Sequence, residues 1–188
     1  MPAQEPGKIR NVAVVGHRGT GKTSLVEALL FQSGAVNRLG TVEAGTTVSD
    51  HDDHEHRRQM SLSASIVHVG WQGRKINVID APGDAGFQGD MIAALSVVEG
   101  ELVVVSGVMG VEVGTNRTWH RGEDGHVARV IVVNMLDRER ADFFRTLEGI
   151  KAQLSPRAVA VHIPIGAEHE LTGIVDVLHM CAYTSPEG

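Results

Sequence analysis

Gly16-His17-Arg18-Gly19-Thr20-Gly21-Lys22-Thr23 combines glycines, a lysine and a hydroxyl at a spacing that suits the holding of a phosphate chain. Gly16 and Gly21 have no Cβ, so the backbone there can take positive φ and turn its N–H groups inward around an anion. A helix opening near Lys22 aims unsatisfied amides and its positive dipole end at the same point. Lys22 then acts as a point charge on the β- and γ-phosphates, and the Thr23 hydroxyl is the expected Mg²⁺ ligand, with Ser24 beside it. His17, Arg18, Gly19 and Thr20 form the turn of the cradle. Of these, His17 reads as a tolerated variable position, whereas Arg18 either reaches a phosphate in cis or faces solvent. The competing interpretation is a glycine-rich turn with an exposed Lys; the apolar run 12–15 before it and the helical pattern after it weigh against that.

Two further motifs suit the same ligand. In Asp80-Ala81-Pro82-Gly83, a carboxylate at a strand end can hold the Mg²⁺ hydration shell, and the glycine can give its N–H to a γ-phosphate. In Asn134-Met135-Leu136-Asp137, the Asp137 carboxylate can accept from N1–H and the 2-amino group of guanine, donors that adenine lacks. An unpaired buried carboxylate costs free energy, so this residue selects GTP over ATP. Each motif alone is a common turn; in this order, each at a strand's carboxyl end, they support one another.

The elements that must position these residues follow from apolar runs and helical periods. Strands are expected at 11–15, 63–71, 75–80, 102–106, 129–134 and 159–165, with Gln72-Gly73 turning the second into the third as an antiparallel hairpin. Most of these runs lack polar alternation, as central strands covered on both faces do. Helices are expected at 23–32, ended by Gly34; at 90–99, ended by Gly100; at 115–124, weakened by Gly122; and at 141–154, where Phe143, Leu147, Ile150 and Leu154 share a face. The alternation predicts an α/β fold of the P-loop NTPase kind: a mostly parallel central sheet, helices on both faces, one antiparallel edge strand, and ligands at its carboxyl edge. Residues 38–58 show no apolar period, and a loop that long is either disordered or functional.

With 188 residues, 42% of them apolar, the chain can bury the core of one domain. A net charge of −6 argues against a general polyanion-binding surface, though not against a local basic patch, and no sequence-specific DNA binding is expected. Cys181 is the only cysteine, so no internal disulfide is possible and a cytoplasmic setting is the default. The amino terminus has no apolar signal segment, and the longest apolar stretch, 92–113, is broken by Glu99, Glu101 and Glu112, so no membrane association is expected. His51-Asp52-Asp53-His54-Glu55-His56 reads as a solvated acidic segment more readily than as a metal site, since no cysteine or distant partner completes it. Trp71 and Trp119 read as packing residues and His68 as a surface residue.

These motifs together resemble the translational GTPases, and within them the amino-terminal GTP-binding domain of elongation factor G and its relatives. The likeness extends to Gly45-Thr46-Thr47 with Asp50, to 58–62, 71–80, Gly110-Val111-Glu112, 134–138 and 163–168, and to Gly173-Ile174-Val175-Asp176. The resemblance implies a monomeric Mg²⁺-dependent GTP hydrolase that binds GTP and GDP and acts on the ribosome. It also implies a GTP-binding core at 1–157 and the start of an inserted subdomain at 158–188, with further domains beyond this piece. Four departures stand out. Asp84 takes the place of the family's catalytic His; together with Gly83 and Lys22 it forms the candidate catalytic set, and its negative charge near a γ-phosphate predicts slow hydrolysis. Ser61 replaces the first-switch Thr and keeps a hydroxyl, giving Thr23, Ser61 and Asp80 as the implied Mg²⁺ ligands. Gln59 replaces a glycine. Met135 replaces the guanine-motif Lys, keeping an apolar stem over the base but losing the ammonium.

Overall fold

The computed structural model describes residues 5–50, 52–125 and 127–185. His51, in the His/Asp run, and the outer ends of the two expected domains, 1–4 and 186–188, lie outside them. The chain runs β1 (Ile9–Gly16), α1 (Lys22–Gln32), α2 (Asp53–Arg58), β2 (Ser65–Trp71), β3 (Arg74–Asp80), α3 (Gln88–Leu95), β4 (Gly100–Ser106), α4 (Val113–Asp124), β5 (Ala128–Asn134), α5 (Phe143–Gln153), β6 (His162–Ile165), β7 (Gly173–Asp176) and β8 (Cys181–Thr184).

Five strands form one sheet in the order β2-β3-β1-β4-β5, parallel throughout except for the antiparallel edge strand β2. The β2–β3 hairpin turns at Gln72 and Gly73, both at positive φ (46° and 73°), as a tight two-residue hairpin requires. Central strands are buried on both faces: Val103, Val104 and Val105 are each fully buried, which contributes about 1.5–3 kcal/mol per side chain. Val14 and Val104 pack with Val26 and Leu30 of α1 on one face; Ala13, Val15 and Val103 pack with Met91 of α3 and Trp119 of α4 on the other. Register pairs Val14 with Asp80, Gly16 with Val104 and Ser106 with Asn134. The three chemical motifs therefore leave the sheet along one carboxyl edge.

Several expectations are corrected. Residues 38–58 are not structureless: they contain α2, built on a capping box in which Asp52 accepts from His54 N and Glu55 reaches back to Asp52 N. α3 stops at Leu95, capped by Ser96, and Gly100 opens β4 instead of ending the helix. The run 159–165 narrows to β6, which joins β7 and β8 in a separate antiparallel sheet and has no place in the central one. Trp119 is buried with Arg129 stacked over its ring at 3.8 Å, but Trp71 is half exposed at the sheet edge. Gly122 is needed where it stands, because a Cβ there would run into the buried Glu101 carboxyl group.

Candidate functional site

β1 ends in Gly16 at φ 142°, where a Cβ would collide with the carbonyl of Val104 on the neighbouring strand. The chain then turns through Gly19 and Gly21 (φ 79° and 83°), and Gly21 serves as the N-cap of α1. Only glycine occupies such conformations without strain. The loop is braced from inside and outside: Thr20 Oγ1 donates to His17 O at 3.0 Å, and Asn134 Nδ2 donates to Thr20 O at 2.9 Å. Lys22 lies buried along the loop, with Nζ donating to His17 O at 2.9 Å. Burial lowers its pKa, while the charges of Asp80 and Asp50 oppose that shift.

Beside Lys22, oxygen donors from three segments converge. Thr23 Oγ1 donates to Asp80 Oδ2 at 2.8 Å and lies 3.1 Å from Ser61 Oγ. Asp80 is buried, its Oδ1 has no hydrogen-bond partner by distance among the described residues, and burial lifts its pKa to about 6 against the pull of Thr23, Lys22 and Ser49. A carboxylate beside the Thr23 hydroxyl, which itself meets that of Ser61, fits a small hard cation that keeps part of its water shell, as Mg²⁺ does. Asp50, absent from the motif-based ligand set, is buried beside this group, accepts a hydrogen bond from Ser61, and has its pKa raised by the same burial. Among the described residues no cluster of three or more His, Cys, Asp or Glu side chains is placed to hold a metal. Residues 53–56 of the run lie in α2, with Asp52 as its cap: His56 Nε2 meets Asp50 O at 2.8 Å, and the buried Glu55 accepts the amides of Leu62 and Ser63. With Glu27 of α1 accepting Val48 N at 2.6 Å, these bonds hold residues 48–63 over the cradle.

The Asp80–Gly83 turn closes the other side. A Cβ on Gly83 would strike Lys22 Nζ and come within 2.8 Å of Arg18 N. Asp84 caps the short 3-10 turn Ala85–Phe87 by accepting Gly86 N at 2.9 Å, and its second oxygen faces Arg18 Nη1 at 3.6 Å. Arg18 takes the solvent-exposed of its two expected poses, its side chain more than half exposed beside Asp84. His17 is also more than a variable position: Gly114 N donates to its Nδ1 at 3.2 Å and Glu112 lies 3.4 Å from its Nε2, tying the phosphate loop to the start of α4.

Two adjoining clefts follow this edge. One of about 250 Å³ is lined by Lys22, Thr23, Asp50, Ser61, Gly83 and Asp84. The other, about 880 Å³, is lined by Met135, Asp137, Arg138 and Glu168 among others, and shares Arg18, Gly19, Met135 and Arg138 with the first. Glu168 is fixed against the third motif, accepting Arg140 N at 2.7 Å while its own N–H donates to Leu136 O at 3.0 Å. Ser24, next to Thr23, is exposed at the rim of the smaller cleft.

Residues 7–186 match the family described as the Elongation factor Tu GTP binding domain. The chain belongs to this GTP-binding family. It is 35% identical over 175 residues to Elongation factor G 2 of Syntrophomonas wolfei subsp. wolfei, covering 93% of this chain and 25% of the relative. It is 34% identical to Elongation factor G of Granulibacter bethesdensis, with the same coverage. The crystal structure of a protein from Thermus thermophilus superposes with a TM-score of 0.90 at 36% identity, covering 96% of this chain and 27% of that one. The chain thus spans about a quarter of the length of the relatives it matches. The two clefts lie side by side along the carboxyl edge, the smaller lined by Lys22 and the larger by Asp137. Among the described residues no helix is long and apolar enough to cross a membrane.

Proposed function

We propose that the protein binds GTP and GDP with Mg²⁺ along this edge and serves as a guanine-nucleotide switch of the elongation factor G type, acting on the cytoplasmic ribosome in translocation or recycling. The observation that carries the reading is the convergence of Lys22, Thr23, Ser61 and Asp80 at the mouth of a cradle in which a Cβ on Gly16, Gly21 or Gly83 would collide with its neighbours. The amides of 16–23 and Lys22 bind the phosphates; Thr23, Ser61 and Asp80 hold the cation; Asp137 pairs with the guanine edge, and Met135 covers the base with an apolar stem. A Mg²⁺ ion held by Thr23, Ser61 and Asp80 would offset negative charge on the terminal phosphates. Ser61 and Gly83 sense the third phosphate from opposite sides, so its loss releases both of their loops. Residues 158–188 are read as the start of an inserted subdomain, and the unit as a monomer. Displacement of fluorescent GTP tests the guanine assignment: GTP should compete and ATP should not, and equal competition refutes it.

Asp84 supports a second reading, a GTP-bound module that occupies a partner while hydrolysing weakly. Its carboxylate accepts Gly86 N and faces Arg18, so both of its oxygens are turned to groups other than an attacking water. Multiple-turnover phosphate release with and without ribosomes separates the two, because strong stimulation excludes the module. Asp84→His is expected to raise turnover; an unchanged rate would show that the carboxylate is not limiting.

A further inference from the structure

Arg18 and Asp84 come from the two loops that close over the cradle and meet as an ion pair, Nη1 to Oδ2 3.6 Å, with side chains 59% and 31% exposed. The two partners are held unequally. Asp84 is anchored through Oδ1 by the Gly86 amide, whereas among the described residues Arg18 makes no other ion pair or side-chain hydrogen bond. A partly exposed pair of this length shifts an equilibrium by only a few-fold, so it exchanges readily. Its location gives it a role. Gly83, directly before Asp84, sits against both Lys22 Nζ and the Arg18 amide, the two groups that face the end of a bound phosphate chain.

We infer that Asp84 holds the Arg18 guanidinium as a stand-in for the third phosphate, so that the pair sets the preference between GTP and GDP. This rests on the nucleotide reading above. A terminal phosphate carries more charge than a carboxylate and takes two parallel N–H bonds from a guanidinium, so it displaces Asp84 from Arg18. A diphosphate ends too early to do so, and the Arg18–Asp84 pair persists in its presence. The anchored Asp84 keeps its Gly86 bond after the exchange and is left facing the new anion without its cation. Arg18 therefore favours the triphosphate, and Asp84 opposes it by competing for the same guanidinium.

The test is the ratio of affinities for a non-hydrolysable GTP analogue and for GDP, both with Mg²⁺, measured by fluorescence on the wild type, Asp84→Asn, Arg18→Ala and the double variant. Loss of one charge-assisted phosphate contact should lower the ratio about tenfold in Arg18→Ala. Asp84→Asn should raise it several-fold, and that gain should fall below about twofold once Arg18 is absent. A gain of equal size in the Arg18→Ala background overturns the exchange and leaves simple repulsion by Asp84. Unchanged ratios in both single variants overturn it as well. A wild type that binds neither nucleotide refutes the nucleotide reading itself, a result distinct from either of these.

Discussion

Asp80→Asn should stabilise the nucleotide-free protein while abolishing the benefit of Mg²⁺. In the fold, burial moves the Asp80 pKa from its ordinary 3.8 to about 6. The folded state therefore holds its proton to higher pH than the unfolded state, and stability falls as pH rises from about 4 to about 6. At 1.36 kcal/mol per unit, two units cost the wild type up to about 3 kcal/mol at pH 7.5, and nothing below pH 4. Asparagine keeps the shape and can still accept the Thr23 hydroxyl, while its amide fills the position of the orphaned Oδ1. Part of the gain is lost with the Lys22 attraction, so a net stabilisation of about 1–3 kcal/mol is expected. Urea unfolding at pH 4 and at pH 7.5, in chelator, measures the difference. Mg²⁺ should strengthen GTP binding to the wild type and leave Asp80→Asn unaffected. An Asp80→Asn variant that is no more stable at pH 7.5, or that gains equally at both pH values, refutes the reasoning.

Glu101 is a second buried carboxylate, with neither oxygen hydrogen-bonded among the described residues; burial raises its pKa to about 7 against the pull of Arg129. Its cost appears as pH rises from about 4.5 to 7, so Glu101→Gln should be about 2 kcal/mol more stable than wild type at pH 8 and equal to it at pH 4 by thermal unfolding. Gly122→Ala should lower the melting temperature despite alanine's better helix propensity, because overpacking against the Glu101 carboxyl costs about 1–3 kcal/mol; a rise in Tm would contradict that contact. Asp137→Ala should weaken GTP binding by about tenfold or more and remove discrimination against ATP in the displacement assay; retained discrimination would move the base elsewhere.

The central sheet was legible because its signals are local: unbroken apolar runs mark strands covered on both faces, and glycines at fixed offsets mark the turn from β1 into α1. α2 was missed because a helix of 6 residues has no room for an apolar period, yet its Asp52–Glu55 spacing carried the capping-box signature. β7 and β8 were missed for a different reason. At 4 residues each, with β8 wholly exposed, neither alternation nor a continuous apolar run was available. At the site, residue types announced the donors, but partnerships between distant segments left no local mark. His17 with Gly114, Arg18 with Asp84, and Glu27 with Val48 each join positions that no periodicity relates. Asp50 stood among the residues of the family likeness, and only the packed loop places it beside Lys22 and Ser61.

His17 serves two masters. Its carbonyl receives Thr20 Oγ1 and Lys22 Nζ, and its ring receives one amide from the first turn of α4, that of Gly114. Drawing Lys22 toward a phosphate would leave that carbonyl to Thr20 alone, and tilting α4 would pull on the ring, so the two events meet at a single residue. Nucleotide grip and the stance of α4 therefore cannot evolve independently. Lesions in the phosphate loop should find their second-site suppressors at Glu112 and Gly114, far along the chain, sooner than among their sequence neighbours.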